Sequence, residues 1–238
     1  MARMGGSRHL KRHAAPRVLK LPRKEKVWTV KAMPGPHPLD RSIPLGILLR
    51  DYLQVGCSLK EVSKIIKEGK VFVDGRPIRE PKFPVGLMDV LSLPATGQHF
   101  RILPNTLGRL FPHPIGAHEA GFKLCRVETK KVIRGGRVQL GLHDGRNLLA
   151  SNDFRVREVV KISLPGQEVL ERIPFRVGCL ALIVGGKNVG KTGRIVEIKE
   201  LKSIQPNTAV LETDGEKIET QIPYLFLIGE KEPLISLP

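Results

Sequence analysis

The chain contains 238 residues with a net charge of +17, and 41% of its residues are hydrophobic although only 5% are aromatic. This hydrophobic share excludes a fully disordered polymer, while 24 glycines and 19 prolines favour several small, turn-rich modules over one large core. Such a positive surface needs a polyanion close by, and the common ones are nucleic acid and acidic membrane.

The cysteines and the first residues of the chain indicate the cellular compartment. Cys57, Cys125 and Cys179 lie far apart and include no C-x-x-C pair. Sparse, unpaired cysteines argue against a disulfide framework and against a zinc site, and they suit a reducing cytosol. The first twenty residues lack the apolar core of a signal peptide, and no apolar run approaches the ~18 residues of a membrane span. We therefore expect a soluble, intracellular protein.

Residues 1–42 form the most basic segment, with eleven Lys/Arg against two acidic residues, a net +9 of the total +17. Five prolines interrupt the segment, so by itself it should be extended or disordered. It is either a solvated tail or an arm that becomes ordered on phosphates. In the second case the contacting residues are Arg3, Arg8, Lys11, Arg12, Arg17 and Lys20. We expect the single tryptophan, Trp28, to anchor the arm in a core, with stacking on a base as the alternative.

Two helices are predicted directly after the arm. Residues 43–53 and 58–69 carry apolar side chains at helical spacing. Ser58 and Glu61 have the spacing of a capping box, in which each side chain satisfies a backbone amide near the other residue. Gly69 is typical of a residue that ends a helix.

Strand signals dominate the rest of the chain. Three Asp-Gly pairs predict tight turns between strands: Asp74-Gly75, where the signal is that of a type I′ hairpin, Asp144-Gly145 and Asp214-Gly215. Residues 88–93 supply a further strand, and residues 179–200 contain two β-branched runs around a glycine-rich loop. The chain therefore divides into four parts: a basic arm (1–42), an α/β module (43–94), a central β-rich domain (95–174) and a smaller β-barrel-like module (175–238).

The glycine-rich loop Gly185–Thr192 reads GGKNVGKT and matches the P-loop pattern G-x-x-x-x-G-K-T. A P-loop needs a helix to begin near Lys191, because its amides and the helix N-terminus converge on phosphate oxygens. Gly193 and the β-branched residues after it favour a strand instead. We therefore expect a β-hairpin loop whose Lys187, Lys191 and Arg194 meet RNA phosphates, without a nucleotide cofactor.

Two segments resemble known RNA-binding elements. Gly178, the apolar run 180–184, Gly190-Lys191 and Gly193 fit the KOW motif of ribosomal and transcription-elongation proteins, although Cys179 stands where an acidic residue is common. Residues 43–93 resemble the S4 RNA-binding domain, which is also called the alpha-L motif.

The order of these elements resembles the ribosomal protein S4e family of the archaeal and eukaryotic small subunit, over essentially the whole chain. The stretches HLKRHAAP, PGPHPLDRSIPLGILLR, LHDGRN, NVGKTGRI and LISLP also match that family. Since the chain ends at Pro238 without the basic extension that is common in eukaryotic members, we expect an archaeal type.

The resemblance implies an α+β, multidomain fold. Its parts are an extended basic N-terminal arm, an alpha-L module of two helices plus a small sheet, a central β domain and a C-terminal SH3-like KOW β-barrel. It also implies a structural constituent of the small ribosomal subunit in the cytoplasm, which binds small-subunit ribosomal RNA and neighbouring ribosomal proteins. Neither a catalytic residue nor a cofactor, a metal or a membrane is expected.

Basic side chains around the alpha-L module are placed to clamp backbone phosphates: Arg41, Arg50, Lys60, Lys64, Lys67, Arg76 and Arg79. The alternative for the three lysines is that they only solvate a helix face, since Glu61 and Glu68 lie among them. Pro44 interrupts the start of the first helix, which leaves the role of Arg41 open.

Other functions remain open at this stage. An RNA-modifying enzyme or a regulatory RNA-binding factor could use the alpha-L module for targeting, but residues 95–238 show no catalytic constellation. His113 and His118 could form a metal pair, although no third ligand completes it. A P-loop NTPase is disfavoured because the predicted strand follows the motif.

Overall fold

The computed structural model of the protein describes residues 7–200, 205–213 and 215–238. Strands far outnumber helices in these residues, in agreement with the α+β prediction. Short 3-10 turns connect several elements: Arg12–Ala14, Leu39–Arg41, Pro94–Thr96, Glu119–Gly121 and Ile222–Tyr224. Within the described ranges, no helix is both long and apolar enough to cross a membrane.

The N-terminal arm lies on the helices that follow it. Its strands β1 (Leu10–Lys11) and β2 (Trp28–Thr29) pair antiparallel. Ala15 and Leu19 are buried in the same core cluster as the helices, which orders a segment that we expected to be extended by itself. Trp28 is 56% exposed, so the prediction that it anchors the arm in a core is wrong. The buried apolar side chains of Ala15 and Leu19 provide the anchor instead.

Two short helices lie under the arm. Strand β3 (Ser42–Pro44) precedes helix α1 (Leu45–Ile47), which continues as a π-helical turn (Leu48–Tyr52), and helix α2 follows (Leu59–Lys67). The first helix begins after Pro44 because β3 pairs with a strand further along the chain.

The capping box of α2 is confirmed. The Glu61 amide donates to Ser58 Oγ at 3.2 Å, and the Ser58 amide donates to Glu61 Oε2 at 3.4 Å. Gly69 has φ +76° just after the helix, the left-handed conformation that glycine adopts without strain.

A five-stranded antiparallel sheet completes this helical module. Its strands are β4 (Phe72–Val73), β5 (Arg76–Pro77), β7 (Val90–Leu93), β8 (Gln98–Pro104) and β9 (Leu110–Ile115). Between β5 and β7 the chain forms strand β6 (Pro84–Gly86), which pairs with β3 outside this sheet. The sheet order is β5-β4-β7-β8-β9. Asp74 and Gly75 have φ values of +51° and +74°, which fits the predicted type I′ turn. Because Val90 pairs with Arg101, strands on both sides of residue 95 belong to one sheet.

The central sheet is built around one long strand. Its members are β10 (Phe122–Val132), β11 (Val138–Leu142), β12 (Asn147–Ala150), β13 (Val159–Ser163) and β14 (Val169–Ile173), in the order β12-β11-β10-β13-β14. Alternate residues of these strands, such as Cys125, Leu140 and Val160, form a core of their own. The predicted turn at Asp144-Gly145 joins β11 and β12.

The last sheet also has five antiparallel strands: β15 (Leu180–Ile183), β16 (Thr192–Lys199), β17 (Thr208–Thr213), β18 (Glu216–Gln221) and β19 (Leu225–Gly229), in the order β18-β17-β16-β15-β19. The predicted strand after the glycine-rich loop is confirmed as β16, which pairs with β15. Asp214 of the third predicted turn lies outside the described residues, and Gly215 has φ +85° between β17 and β18.

A core cluster joins all three modules. Its members include Met88 and Leu103 from the helical module, Leu124 from β10 and Ile173 from β14, packed with Phe226 and other residues of the last sheet. Burial of apolar area of this kind is worth about 25 cal/mol per Å². Docking therefore completes cores that the small modules could not fill alone.

A buried charge network lies beside this core. The Lys123 ammonium on β10 contacts Asp74 Oδ2 at 2.9 Å, Asp89 Oδ1 at 2.6 Å and Asp144 Oδ2 at 2.8 Å. Arg146 adds a second cation on Asp74 and Asp144. Burial lowers the pKa of Lys123, but the charges of Asp89 and Asp74 outweigh it and raise that pKa well above its ordinary value. The lysine therefore stays charged and bridges the helical module and the central sheet.

His143 links the same region to the last sheet. Its Nδ1 faces the Arg126 amide at 3.2 Å and its Nε2 faces the Leu87 carbonyl oxygen at 3.2 Å, while the ring edge packs on Phe226. Nδ1 must therefore accept and Nε2 must donate, which requires a neutral ring. Burial, helped by the charge of Lys123, lowers the pKa of His143 to about 3.

We expect Lys123→Met to lower the free energy of unfolding by about 3–5 kcal/mol, because three buried carboxylates would lose their shared ammonium. Denaturant unfolding of the full chain measures the change. Lys131→Met on the same strand is the matched control, since Lys131 is exposed, and it should change stability by no more than about 0.5 kcal/mol. Equal losses in the two variants would contradict a structural role for the network.

Stability should also fall as the pH decreases from about 6.5 towards 3. In this range the unfolded state binds a proton at residue 143 that the folded ring, with its lowered pKa, does not bind. From pH 7 to pH 5 the natural protein should lose about 1–2 kcal/mol more than His143→Gln, as measured by denaturant unfolding at each pH. Identical pH dependence in the two proteins would show that His143 is not held neutral.

Candidate nucleic-acid interface

The arm and α2 together line a groove, which we call the arm–α2 groove. It has a volume of about 420 Å³, and its lining includes Arg8 and Lys31 of the arm as well as Lys67 and Lys82. The structure therefore brings together cations that are far apart in the sequence. Lys31 and Lys82 were not among the residues predicted from sequence, because nothing in their local pattern shows that the arm folds back onto α2.

The exposed face of α2 carries three lysines that are free to bind an anion. Lys60, Lys64 and Lys67 are exposed on the side opposite the buried Val62 and Ile66. The two glutamates among them are already engaged: Glu61 caps the helix, and Glu68 contacts the ammonium of Lys70 at 2.6 Å. No acidic side chain of the described ranges forms an ion pair with the three lysines.

A second groove, of about 810 Å³, lies where the arm passes the π-helical turn. Lys20, Arg50 and Arg109 line it, and the Lys20 amide donates to the Tyr52 hydroxyl at 2.8 Å. Arg50 donates to both carboxylate oxygens of Asp51, at 2.6 and 2.8 Å, and these hydrogen bonds raise its pKa. Arg12 and Glu25 in the same lining also form an ion pair, so the net positive charge comes from Lys20, Lys26 and Arg109. Arg109 escaped the sequence prediction, although the preceding Gly108 marks a turn.

The glycines of the loop GGKNVGKT are used for close packing. A side chain at Gly185 would meet the Tyr224 ring at 2.6 Å, and one at Gly190 would meet the Asn105 backbone at 2.7 Å. Val189 between them is buried against the same turn of the helical module. The loop thus fastens the last sheet to the β8–β9 hairpin, and no helix N-terminus follows it.

The cations of this loop point to solvent. Lys187, Lys191 and Arg194 are all exposed. Arg194 also approaches the Lys231 carbonyl oxygen at 3.4 Å. The β8–β9 turn that receives the loop ends at Arg109 of the second groove, so the basic residues of both regions lie on neighbouring elements.

Each of the remaining predicted residues is exposed, buried or outside the described residues. Exposed side chains near the helical module include Arg17, Arg41, Arg76 and Arg79, and Lys11 is exposed on β1. Arg3 lies outside the described residues.

Arg12 differs from the predicted phosphate contact. Its side chain is only 4% exposed, and its guanidinium donates to the carbonyl oxygens of Pro22 at 2.7 Å and Trp28 at 3.4 Å. Arg12 therefore holds the arm in shape, and we leave it out of the interface.

One trio of potential metal ligands comes together among the described residues: Cys125, His143 and Asp144. Both ring nitrogens of His143 already face backbone partners, and an Asp144 oxygen contacts the Lys123 ammonium. These contacts assign the trio to the buried charge network. His113 and His118 do not belong to it.

Models of known protein families match three segments of the chain. The RS4NT (NUC023) domain model matches residues 4–40, the S4 domain model matches residues 52–91 and the ribosomal family S4e model matches residues 96–169. The crystal structure of the 30S ribosomal protein S4e from Thermoplasma acidophilum is 32% identical, with a TM-score of 0.70. That similarity covers 80% of this chain and 96% of the other.

Curated relatives match over their full length. Small ribosomal subunit protein eS4 of Methanothermobacter thermautotrophicus is 51% identical, covering 100% of this chain and 99% of the relative. The protein of the same name from Methanocaldococcus jannaschii is 46% identical, with 100% of both chains covered. The chain belongs to the ribosomal protein S4e family.

Proposed function

We propose that this protein is a structural constituent of the small ribosomal subunit, which binds small-subunit ribosomal RNA and supports its folding in the cytoplasm. The observation that carries the proposal is the similarity to small ribosomal subunit protein eS4 over the entire chain. The unpaired basic surface of the arm and α2 supplies the physical means. Neighbouring small-subunit proteins are the further partners of such a constituent.

The α2 lysines are suited to a phosphate backbone. Lys64 and Lys67 lie about 6 and 10.5 Å from Lys60 along the helix axis, because each residue adds 1.5 Å. A row of this kind contacts successive phosphates without reading base sequence, and each contact releases counterions from the RNA. The arm cations extend the row across the arm–α2 groove. The remaining members of the proposed interface are Arg3, Arg8, Lys11, Arg17, Lys20, Arg41, Arg50, Arg76, Arg79, Lys187, Lys191 and Arg194.

We also propose that residues 175–238 form an SH3-like barrel of the KOW type, after a central domain of residues 95–174 whose first two strands, β8 and β9, extend the sheet of the alpha-L module. Support comes from five antiparallel strands, with a 3-10 turn (Ile222–Tyr224) before the last of them. The exposed Lys187 and Lys191 in the loop between the first two strands then correspond to the basic tip of the motif. In this division the arm spans residues 1–42 and the alpha-L module spans residues 43–94.

The buried thiol and carboxylates around Lys123 support a non-catalytic role. The Cys125 thiol is buried, and burial raises its pKa well above the usual range, which disfavours the nucleophilic thiolate. Asp74, Asp89 and Asp144 all contact the Lys123 ammonium. An RNA-modifying enzyme would need such a group to be accessible beside a substrate.

Replacing Lys60, Lys64 and Lys67 by glutamine should weaken binding to small-subunit ribosomal RNA and flatten its salt dependence. Each lost phosphate contact reduces the slope of log affinity against log salt by about 0.7–0.9, so the triple variant should lose roughly 2 units of slope. Filter binding over a salt series measures both quantities.

The charge-matched control replaces Lys131, Arg134 and Arg137 by glutamine, which are exposed at the turn between β10 and β11 of the central sheet. This variant removes the same charge away from α2. If both triple variants change the slope equally, RNA binding depends on total charge and the α2 surface is not a specific contact.

The glycine-rich loop should bind no free nucleotide. Titration of the protein with ATP or GTP in the presence of Mg²⁺, followed by calorimetry, should give no saturable heat, because strand β16 begins at Thr192 where a P-loop helix is required. Saturable binding that is abolished by Lys191→Ala would overturn this assignment.

A further inference from the structure

Trp28 is the only tryptophan of the chain, and its side chain is 56% exposed on the short strand β2. Tryptophan has the largest apolar surface of the side chains, and it gains stability when that surface is covered. The folded chain covers less than half of it. The indole is therefore available to a ligand.

The backbone that carries Trp28 is held in place. The buried Arg12 donates to the Trp28 carbonyl oxygen at 3.4 Å and, through its amide, to the Val27 carbonyl oxygen at 2.9 Å. Strand pairing places Lys11 directly opposite Trp28. A ring on such a fixed support loses little entropy on binding, which is the usual benefit of preorganisation.

One positively charged group and one aromatic ring lie close to the indole. The Lys11 ammonium lies 6.0 Å from the ring centroid, and the His9 ring lies 5.7 Å away at an interplanar angle of 57°. Trp28 and His9 also line the arm–α2 groove, together with four cations and one carboxylate: Arg8, Lys31, Lys67, Lys82 and Glu80. A groove of about 420 Å³ is within the ~300–1,000 Å³ range of small-ligand sites.

A nucleotide matches this combination of groups. A nucleobase offers a flat apolar face for the indole, and its phosphates offer negative charge for the surrounding cations. An apolar patch on a protein would also cover the ring. It would, however, remove water from the Lys11 ammonium without offering a hydrogen-bond partner in return, and such a loss is unfavourable. Bases within a duplex are already stacked on each other, so only an unpaired base can reach the ring.

We propose that Trp28 is a stacking platform for an unpaired base of RNA, with the cations of the arm–α2 groove holding the adjacent phosphates. This rests on the proposed function and deepens it, because it names a single-stranded or bulged segment as the ligand at this position. Phosphate contacts along α2 are then accompanied by one contact that distinguishes unpaired from paired RNA.

The fluorescence of the full-length protein tests the proposal directly, because any tryptophan signal comes from residue 28. A short single-stranded RNA should quench the emission on binding, whereas the same strand annealed to its complement should bind with little quenching. Equal quenching by both forms, or binding of the single strand without quenching, overturns the stacking platform.

Two variants separate stacking from general apolar contact. Trp28→Leu keeps the apolar bulk and removes the aromatic face, so affinity for the single strand should fall about tenfold, while affinity for the duplex is unchanged. Trp28→Phe should retain part of the affinity. The matched control is Val27→Ala, since Val27 is 61% exposed beside Trp28 and outside the groove lining, and it should have no effect.

The remaining outcomes also decide between hypotheses. If Trp28→Leu leaves both RNA affinities unchanged but weakens incorporation of the protein into small subunits, Trp28 docks on a neighbouring protein and the stacking proposal is wrong. If the natural protein binds neither form of RNA, the proposed function fails. Salt-sensitive RNA binding without a Trp28 effect overturns the stacking platform alone.

Discussion

The ammonium of Lys123, buried among three carboxylates, is the interaction on which the arrangement of the modules depends. Asp74 and Asp89 belong to the helical module and Asp144 belongs to the central sheet, so none of the modules could satisfy this lysine alone. A buried charge without partners is strongly unfavourable, and the network therefore penalises every arrangement in which the two modules separate. The neighbouring apolar cluster adds the last sheet, through Phe226 among others. The exposed cations are presented at defined positions as a result.

The basic residues of this chain serve two different purposes. Lys123 and Arg101 are fully buried, and Arg12 is nearly so. Each is bound by carboxylates or by backbone carbonyl oxygens, and burial lowers the pKa of Arg101 to about 10. These side chains hold the modules and the arm together. Lys60 and Lys64, in contrast, are exposed and free of carboxylate partners within the described ranges. The net charge alone would overestimate the basic surface that is available to RNA, because some of the basic side chains are buried inside the protein.

The glycine-rich loop shows how a motif can be matched for a reason unrelated to its usual chemistry. Two glycines, a lysine and a threonine satisfy a phosphate-binding pattern, yet Gly185 makes room for the Tyr224 ring and Gly190 for the Asn105 backbone. The loop therefore packs the last sheet closely against the β8–β9 hairpin. Its lysines remain at the surface, where an RNA backbone is a suitable partner. The strand that follows Thr192 distinguishes this arrangement from a nucleotide site.

Local patterns in the sequence were sufficient for the local structure. The capping box at Ser58, the type I′ turn at Asp74 and the strand after Thr192 each depend on neighbouring residues, and the sequence predicted all three correctly. Order in the arm, the exposure of Trp28 and the burial of Arg12 depend on contacts between distant residues, and the sequence did not reveal them. The arm–α2 groove exists only because Ala15 and its neighbours pack on the helices. Propensity and periodicity act over a few residues, whereas burial and charge pairing are decided by which segments meet in the folded chain.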